Sequence, residues 1–185
     1  MATTTGCPIP SNINPLSPNG FKLSINKLPG VSYFAQEVNL PELSLGDIAM
    51  PTPLSIAKIP GEMMTFGDLN FQFIIDENMT NYTSIYNWMT GLGFPNTHQE
   101  YTDYIAEQTK STNPLRNIYD TSEIAKGYSD GTLEILASNN VPIKSVIFTD
   151  LFPVSLSSLT FLSTVTDITY LVGNASFKYT TFKLI

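Results

Sequence analysis

Hydrophobic alternation starts abruptly at Phe21. Before it, residues 1–20 hold no charged side chain and four prolines (Pro8, Pro10, Pro15, Pro18), punctuated by Gly6 and Gly20. Proline fixes φ and removes a backbone donor, so this segment is read as an extended arm, free or ordered against a neighbour. From Phe21 the residues Phe21, Leu23 and Ile25 alternate with Lys22, Ser24 and Asn26, as in a strand with one buried face. Leu28-Pro29-Gly30 predicts a turn, and residues 31–38 a returning strand that completes a hairpin.

Between residues 40 and 61 the pattern changes. Pro41, Pro51, Pro53 and Pro60 interrupt a run that carries Leu43, Leu45, Ile48, Met50, Leu54 and Ile56. Proline at that density forbids a central strand, so the run is expected to project as a long loop or an edge hairpin. Strict alternation returns at 68–75, with Leu69, Phe71 and Phe73 on one face, and predicts a strand. Asp76-Glu77-Asn78 then supplies the acidic and capping chemistry of a helix N-terminus. The helix is expected over 78–92, with a stripe of Tyr82, Ile85, Tyr86, Met89 and Leu92 and a stop at Gly91, Gly93 and Pro95. Trp88 lies beside that stripe and reads as a core anchor.

Residues 96–130 are charge-rich and poor in aliphatics, as in a surface insertion. The spacing of Tyr101, Tyr104 and Ile105, with Gln108 at its end, predicts one short helix there. Strands follow over 131–137 and 141–151, joined by an Asn139-Asn140 turn, with Pro153 expected to break the second. A turn or helical piece is expected over 155–162, then a closing alternating run over 168–185 with Gly173 at a bulge or bend. The sum is about seven strands and one definite helix, a mainly β fold with one flanking α-helix: an antiparallel β-sandwich or small barrel over 21–185, with a projecting loop at 40–61 and an insertion at 96–130.

Composition narrows the function. A chain of 185 residues fits one domain, and 42% hydrophobic residues are enough for a packed core. Only 14% of residues are charged, against roughly a quarter in an ordinary domain. A low-charge, hydroxyl-rich surface suits a protein packed against neighbours, and the apolar residues of 40–61 are the expected subunit interface. The net charge is -7, with nine Lys and Arg scattered along the chain, which argues against attraction to nucleic acid. Neither a secretory leader pattern nor an apolar run of membrane-spanning length is present, so no membrane insertion is expected.

Catalytic chemistry finds little purchase. The single histidine, His98, has no cysteine or second histidine at ligand spacing, and the single cysteine, Cys7, sits in the proline-rich arm. Asp76 with Glu77 and Asp47 with Glu62 are the available carboxylate pairs, but adjacent strand-end residues point apart and helix capping accounts for the first pair. Gly91-Leu92-Gly93 lacks the length and the lysine of a phosphate loop. No enzyme activity, metal or cofactor is expected.

The order of strand, hairpin, proline-bearing loop, the segment Gly61-Glu62-Met63-Met64-Thr65-Phe66-Gly67-Asp68-Leu69-Asn70-Phe71-Gln72-Phe73-Ile74-Ile75-Asp76-Glu77 and an amphipathic helix through Trp88 resembles the tail tube proteins of contractile-tailed bacteriophages. Thr149-Asp150-Leu151-Phe152-Pro153 and the final aromatic strand, Phe177 to Leu184, are similar to that family's ending. The resemblance covers most of the chain from Phe21. It departs at the uncharged arm and at Ser157, Ser158 and Thr160, where charged residues are expected, and so leaves open a main tube subunit or a tube-like baseplate or neck component. It implies a virion protein assembled in the host cytoplasm: hexameric rings that stack beside tube, baseplate, neck or sheath proteins, with DNA only as passing cargo. An acidic protein would repel DNA in such a channel, and Glu37, Asp68 and Glu134 are the candidates for its lumen. A β-sandwich that binds carbohydrate or a host surface is the alternative, and it needs Trp88 and tyrosines at the surface.

Overall fold

The structure is a computed structural model that describes residues 13–51, 53–93, 95–107, 127–164 and 169–185. Residues 1–12 of the expected arm, with Cys7, and residues 108–126 of the expected insertion lie outside them.

The alternating run at Phe21 forms β1 (Phe21–Ile25), and its neighbours come from far along the chain. The strands β2 (Ala35–Val38), β5 (Leu69–Ile74), β6 (Ser129–Leu136), β7 (Pro142–Leu156) and β8 (Val172–Lys178) join it in one antiparallel sheet of order β1-β6-β7-β8-β5-β2, with β9 (Thr181–Leu184) added on β7. β3 (Leu43–Pro51) and β4 (Ile56–Phe66) pair only with each other. The fold is mainly β and antiparallel, as expected. It is not a closed barrel, because β1 and β2 are the two ends of the strand order.

The sheet folds over on β7. The first part of that strand pairs with β6 and β9, the last part with β8. The corner is Asp150, at φ 56, where two consecutive residues, Asp150 and Leu151, are both buried and the in–out alternation reverses. The Asp150 N–H donates to Asp130 Oδ1 at 3.4 Å. Pro153 does not end the strand, contrary to expectation. It sits at a register shift between Pro153 and Ser155, and a bulge is where a sheet tolerates a residue without a donor.

Folding the sheet brings two apolar faces together. Leu23, Ile25, Leu133, Val146 and Phe148 meet Leu69, Phe71, Phe73, Ala175 and Phe177, all within 3% of complete burial. The ring of Phe71 stacks on Phe177 at 5.3 Å, and Trp88 lies 5.7 Å from Phe177. Each of the larger side chains among them contributes about 1.5–3 kcal/mol on leaving water.

Five local expectations are corrected. Residues 31–38 do not return along β1: Val31–Phe34 form one helical turn, α1, which buries Val31, and β2 pairs with β5. Tertiary burial of Val31 outweighs the extended preference of Tyr33 and Phe34. Helix α2 (Thr80–Gly93) buries Asn81, Ile85, Trp88 and Gly91, so its stripe is rotated from the expected one and Tyr86 is exposed. Gly91 is not a stop: a Cβ there would lie 2.4 Å from Tyr104 Cγ, so glycine lets α3 (His98–Glu107) approach. Gly173 makes no bulge either, since the β5–β8 register runs through it and its missing side chain makes room for the Phe73 ring. Residues 157–162 are irregular rather than helical.

Candidate assembly surface

The β3–β4 hairpin is the part of the molecule that its own core does not use. Every β3 residue is exposed and β4 has only Gly61 and Phe66 half-buried. Its prolines fit because both strands have an open edge. Pro60 lies beside an irregularity where Leu45↔Met64 gives way to Asp47↔Pro60. There Gly61 passes so close to Gly46 that a Cβ would stand 2.8 Å from the Gly46 carbonyl oxygen. Lys58 and Asp47 form an ion pair across the distal half.

The base is fixed to the body. The Gly67 N–H donates to Glu42 O at 2.9 Å, the Tyr179 hydroxyl donates to Gly67 O at 2.8 Å, and the Phe66 ring packs at 5.4 Å from Phe182 and 6.1 Å from Tyr179. Burial, with the Asp68 charge adding to it, pushes the Tyr179 phenol up to about 12, so it remains a donor at neutral pH. All six expected interface residues stand out: Leu43, Leu45, Ile48 and Met50 on β3, Leu54 in the connection, and Ile56 on β4. Their exposures run from 52% for Leu45 to 98% for Leu54. The hairpin also reaches past residue 61. Met63 and Met64, successive β4 residues that alternate between its two faces, are exposed as well, and sequence reading missed them because it closed the projecting segment at Gly61.

The expected lumen residues fall in two places. Glu37 is exposed on β2 opposite Gln72, and Asp68 is exposed just before β5, its carbonyl accepting from Asn39 Nδ2 at 3.1 Å. Glu134 lies on β6, across the fold, 3.8 Å from Lys22 Nζ. Beside Glu37 runs an open groove of about 520 Å³ lined by amides and hydroxyls, such as Asn70, Gln72, Ser155 and Asn174, and by the apolar Phe71 and Leu156. Nothing in the linear pattern marked it, because its residues come from four strands.

The carboxylates weighed for catalysis are engaged elsewhere or apart. Asp47 pairs with Lys58, and Asp76 Oδ1 accepts the Asn81 N–H at 3.2 Å at the start of α2. His98 is exposed, its ring 5.8 Å from that of Tyr101. Among the described residues no three His, Cys, Asp or Glu cluster as metal ligands would, and no helix is long and apolar enough to cross a membrane. Trp88 is 2% exposed, its indole N–H donating to Gly127 O at 2.9 Å. It is an anchor and offers no platform to a sugar.

Comparison with solved structures places this architecture. The chain is similar to one in the cap of the anti-feeding prophage, described as a tube terminating cap, at a TM-score of 0.57 and 13% identity, over 100% of this chain and 99% of that one. The fold is tail-tube-like. It also resembles a chain of the sheath–tube complex of an extracellular contractile injection system, PVC, in the extended state, with a TM-score of 0.54, 14% identity, and 92% and 91% coverage. A chain of the anti-feeding prophage baseplate gives 0.54, 10% identity, and 93% and 96% coverage. No protein-family model and no curated protein matches the sequence.

Proposed function

We propose that this chain is a non-catalytic structural subunit of a contractile tail, forming hexameric rings that stack into or cap a tail tube. The observation that carries the reading is the hairpin. Its apolar side chains are left exposed by every described part of the chain, while its base is tied to the core by hydrogen bonds and rings. Monomers rarely leave so much contiguous apolar surface in water. The tail-tube-like fold and the low charge content support the same reading.

In its phage form the subunit belongs to the virion tail, assembles in the host cytoplasm beside tube, baseplate, neck or sheath proteins, and passes DNA as cargo only. The net charge of -7 keeps such a wall from holding phosphates. Glu37, Asp68 and Glu134 remain the proposed lumen carboxylates. Electron microscopy of the purified protein is the test: rings or tubes are expected, and a strict monomer at high concentration refutes the assembly. Replacing Ile48, Met50 and Leu54 together with Ser should leave a folded subunit with a cooperative melt that no longer associates.

A further inference from the structure

Strands β5 and β8 bury Leu69, Phe71, Phe73, Ala175 and Phe177 on one face and turn polar residues to the other. The pairing of β2, β5, β8 and the end of β7 sets those polar residues in two rows that cross the strands. In the first, Glu37 stands opposite Gln72 and Gln72 opposite Asn174, whose carbonyl accepts the Ser157 N–H at 2.8 Å. In the second, two residues along, Asn70 stands opposite Ser176 and Ser176 opposite Ser155. With strands about 4.8 Å apart, the longer row spans roughly 14 Å. Together the rows line the open groove of about 520 Å³, a volume inside the range of roughly 300–1,000 Å³ typical of small-molecule sites.

The walls are fixed and their polar ends are not used. Asn39 Oδ1 accepts the Asn70 N–H at 2.6 Å while its Nδ2 donates to Asp68 O at 3.1 Å, which holds the β2 side. Ser157 Oγ accepts the Asn174 N–H at 2.9 Å, which holds the β7 side. Among the described residues, by contrast, no hydrogen bond or ion pair engages the side chains of Glu37, Asn70, Gln72, Ser155, Asn174 or Ser176. Gln72 and Asn174 face each other across adjacent strands without bonding, so their amides are offered outward.

The lining selects the chemistry of a ligand. No Lys, Arg or His is among the described lining residues, so nothing there compensates an anion, and Glu37 is the single carboxylate. An apolar ligand would bury the amides unpaired. An extended peptide is taken up by a sheet at its edge, through backbone groups, whereas this groove crosses the face and offers side chains. Primary amides and hydroxyls both donate and accept, as sugar hydroxyls and acetamido groups do. The half-buried Leu156 gives the C–H face of a sugar ring an apolar contact.

We infer that the groove between Glu37 and Ser157 is a binding site for a neutral oligosaccharide bearing acetamido groups. The site is separate from Trp88 and goes beyond the assembly reading. Saturation-transfer NMR of the full chain with triacetylchitotriose tests it, and because the method reads single subunits and rings alike, its result is independent of whether rings form. Transfer to the acetyl methyls is expected, with a Kd of about 1 mM or below. The double variant Q72A/N174A should raise that Kd about tenfold, as loss of two hydrogen bonds does, while Glu134→Gln, on the other half of the sheet, leaves it unchanged. Circular dichroism confirms folding of each variant. Should the double variant fail to fold, Asn174→Asp replaces it, keeping the shape and removing the donor, and should raise the Kd about two- to tenfold. Absence of transfer at about 10 mM trisaccharide, where a site with a Kd of about 1 mM would be nine-tenths filled, overturns the inference, as does a Kd unchanged in the folded variant. Transfer to N-acetyl-tetraalanine amide in place of the trisaccharide makes the groove a peptide site and overturns it too.

Discussion

Two regions of similar apolar content behave oppositely. In β5, Leu69, Phe71 and Phe73 alternate with polar residues and are buried within 2%. In β3, Leu43, Leu45, Ile48 and Met50 are each more than half exposed. Composition does not separate them. β5 has hydrogen-bonded neighbours on both edges, β2 and β8, and a core beneath it. β3 has only β4, in a ladder carrying Pro51 and Pro60, which cannot join a sheet interior. Burial here follows from having a core beneath one face, as the edge strand β1 also shows with Leu23 and Ile25 buried, and among the described residues the hairpin has none.

The sharpest way to break this comparison is a pair of truncations. Phe177→Ala removes a ring packed on Phe71 and Trp88 and should cost about 3–5 kcal/mol, whereas Leu54→Ala should stay within about 0.5 kcal/mol. Denaturant melts of the isolated subunit measure both, and comparable losses would mean that the hairpin belongs to the folding unit.

Within α2 the contrast is finer. Ile85→Ala should cost about 2–4 kcal/mol and Ser84→Ala less than about 0.5, although Ser84 Oγ donates to Thr80 O. Equal shifts in Tm would place the buried stripe elsewhere. Gly91→Ala should cost about 1–3 kcal/mol by overpacking against Tyr104. Because the collision is with α3, protection of α3 amides from hydrogen exchange should fall further than that of β5.

The smallest effect is electrostatic. The Lys27 ammonium lies 3.1 Å from the Tyr104 hydroxyl and faces the Trp88 and Tyr104 rings at 5.3 and 5.1 Å. The rings attract the charge and burial opposes it; the amine falls from 10.5 to about 8, so burial wins. Between about 8 and 10.5 the unfolded chain holds a proton that the folded chain has released, so this group adds stability as pH rises through that window. Burial raises the Tyr104 phenol above its usual 10.0, and stability from that group is lost above about 10. A small rise in Tm from pH 8 towards 10 is expected, absent in Lys27→Met. A flat profile in the parent would show that burial does not shift this amine.

Much of the fold was legible because its signals are local. Period-two alternation marked β1, β5 and β6, the Asn139-Asn140 turn holds Asn140 at φ 61, and Tyr101 and Tyr104 marked α3. The six interface candidates were legible for a negative reason, since prolines denied them a place in the sheet. Val31 misled, because a short apolar run fits a strand or a helical turn equally well. Pro153 misled because proline breaks a regular strand yet suits a bulge, and the bulge exists only where β7 changes partners. Gly91 resembled a stop because nothing nearby in sequence announces the Tyr104 ring.

The sequence by itself determined most of the extended stretches, the helix through Trp88, that the chain carries little charge, and that residues 40–61 project with their apolar side chains exposed, since periodicity and proline act over a few residues. Only the tertiary structure decided that β1 pairs with β6 rather than with the next segment, and that the sheet folds at Asp150. Those facts depend on contacts between residues far apart in the chain, where many pairings satisfy the same alternation and only the one that buries both apolar faces together is stable.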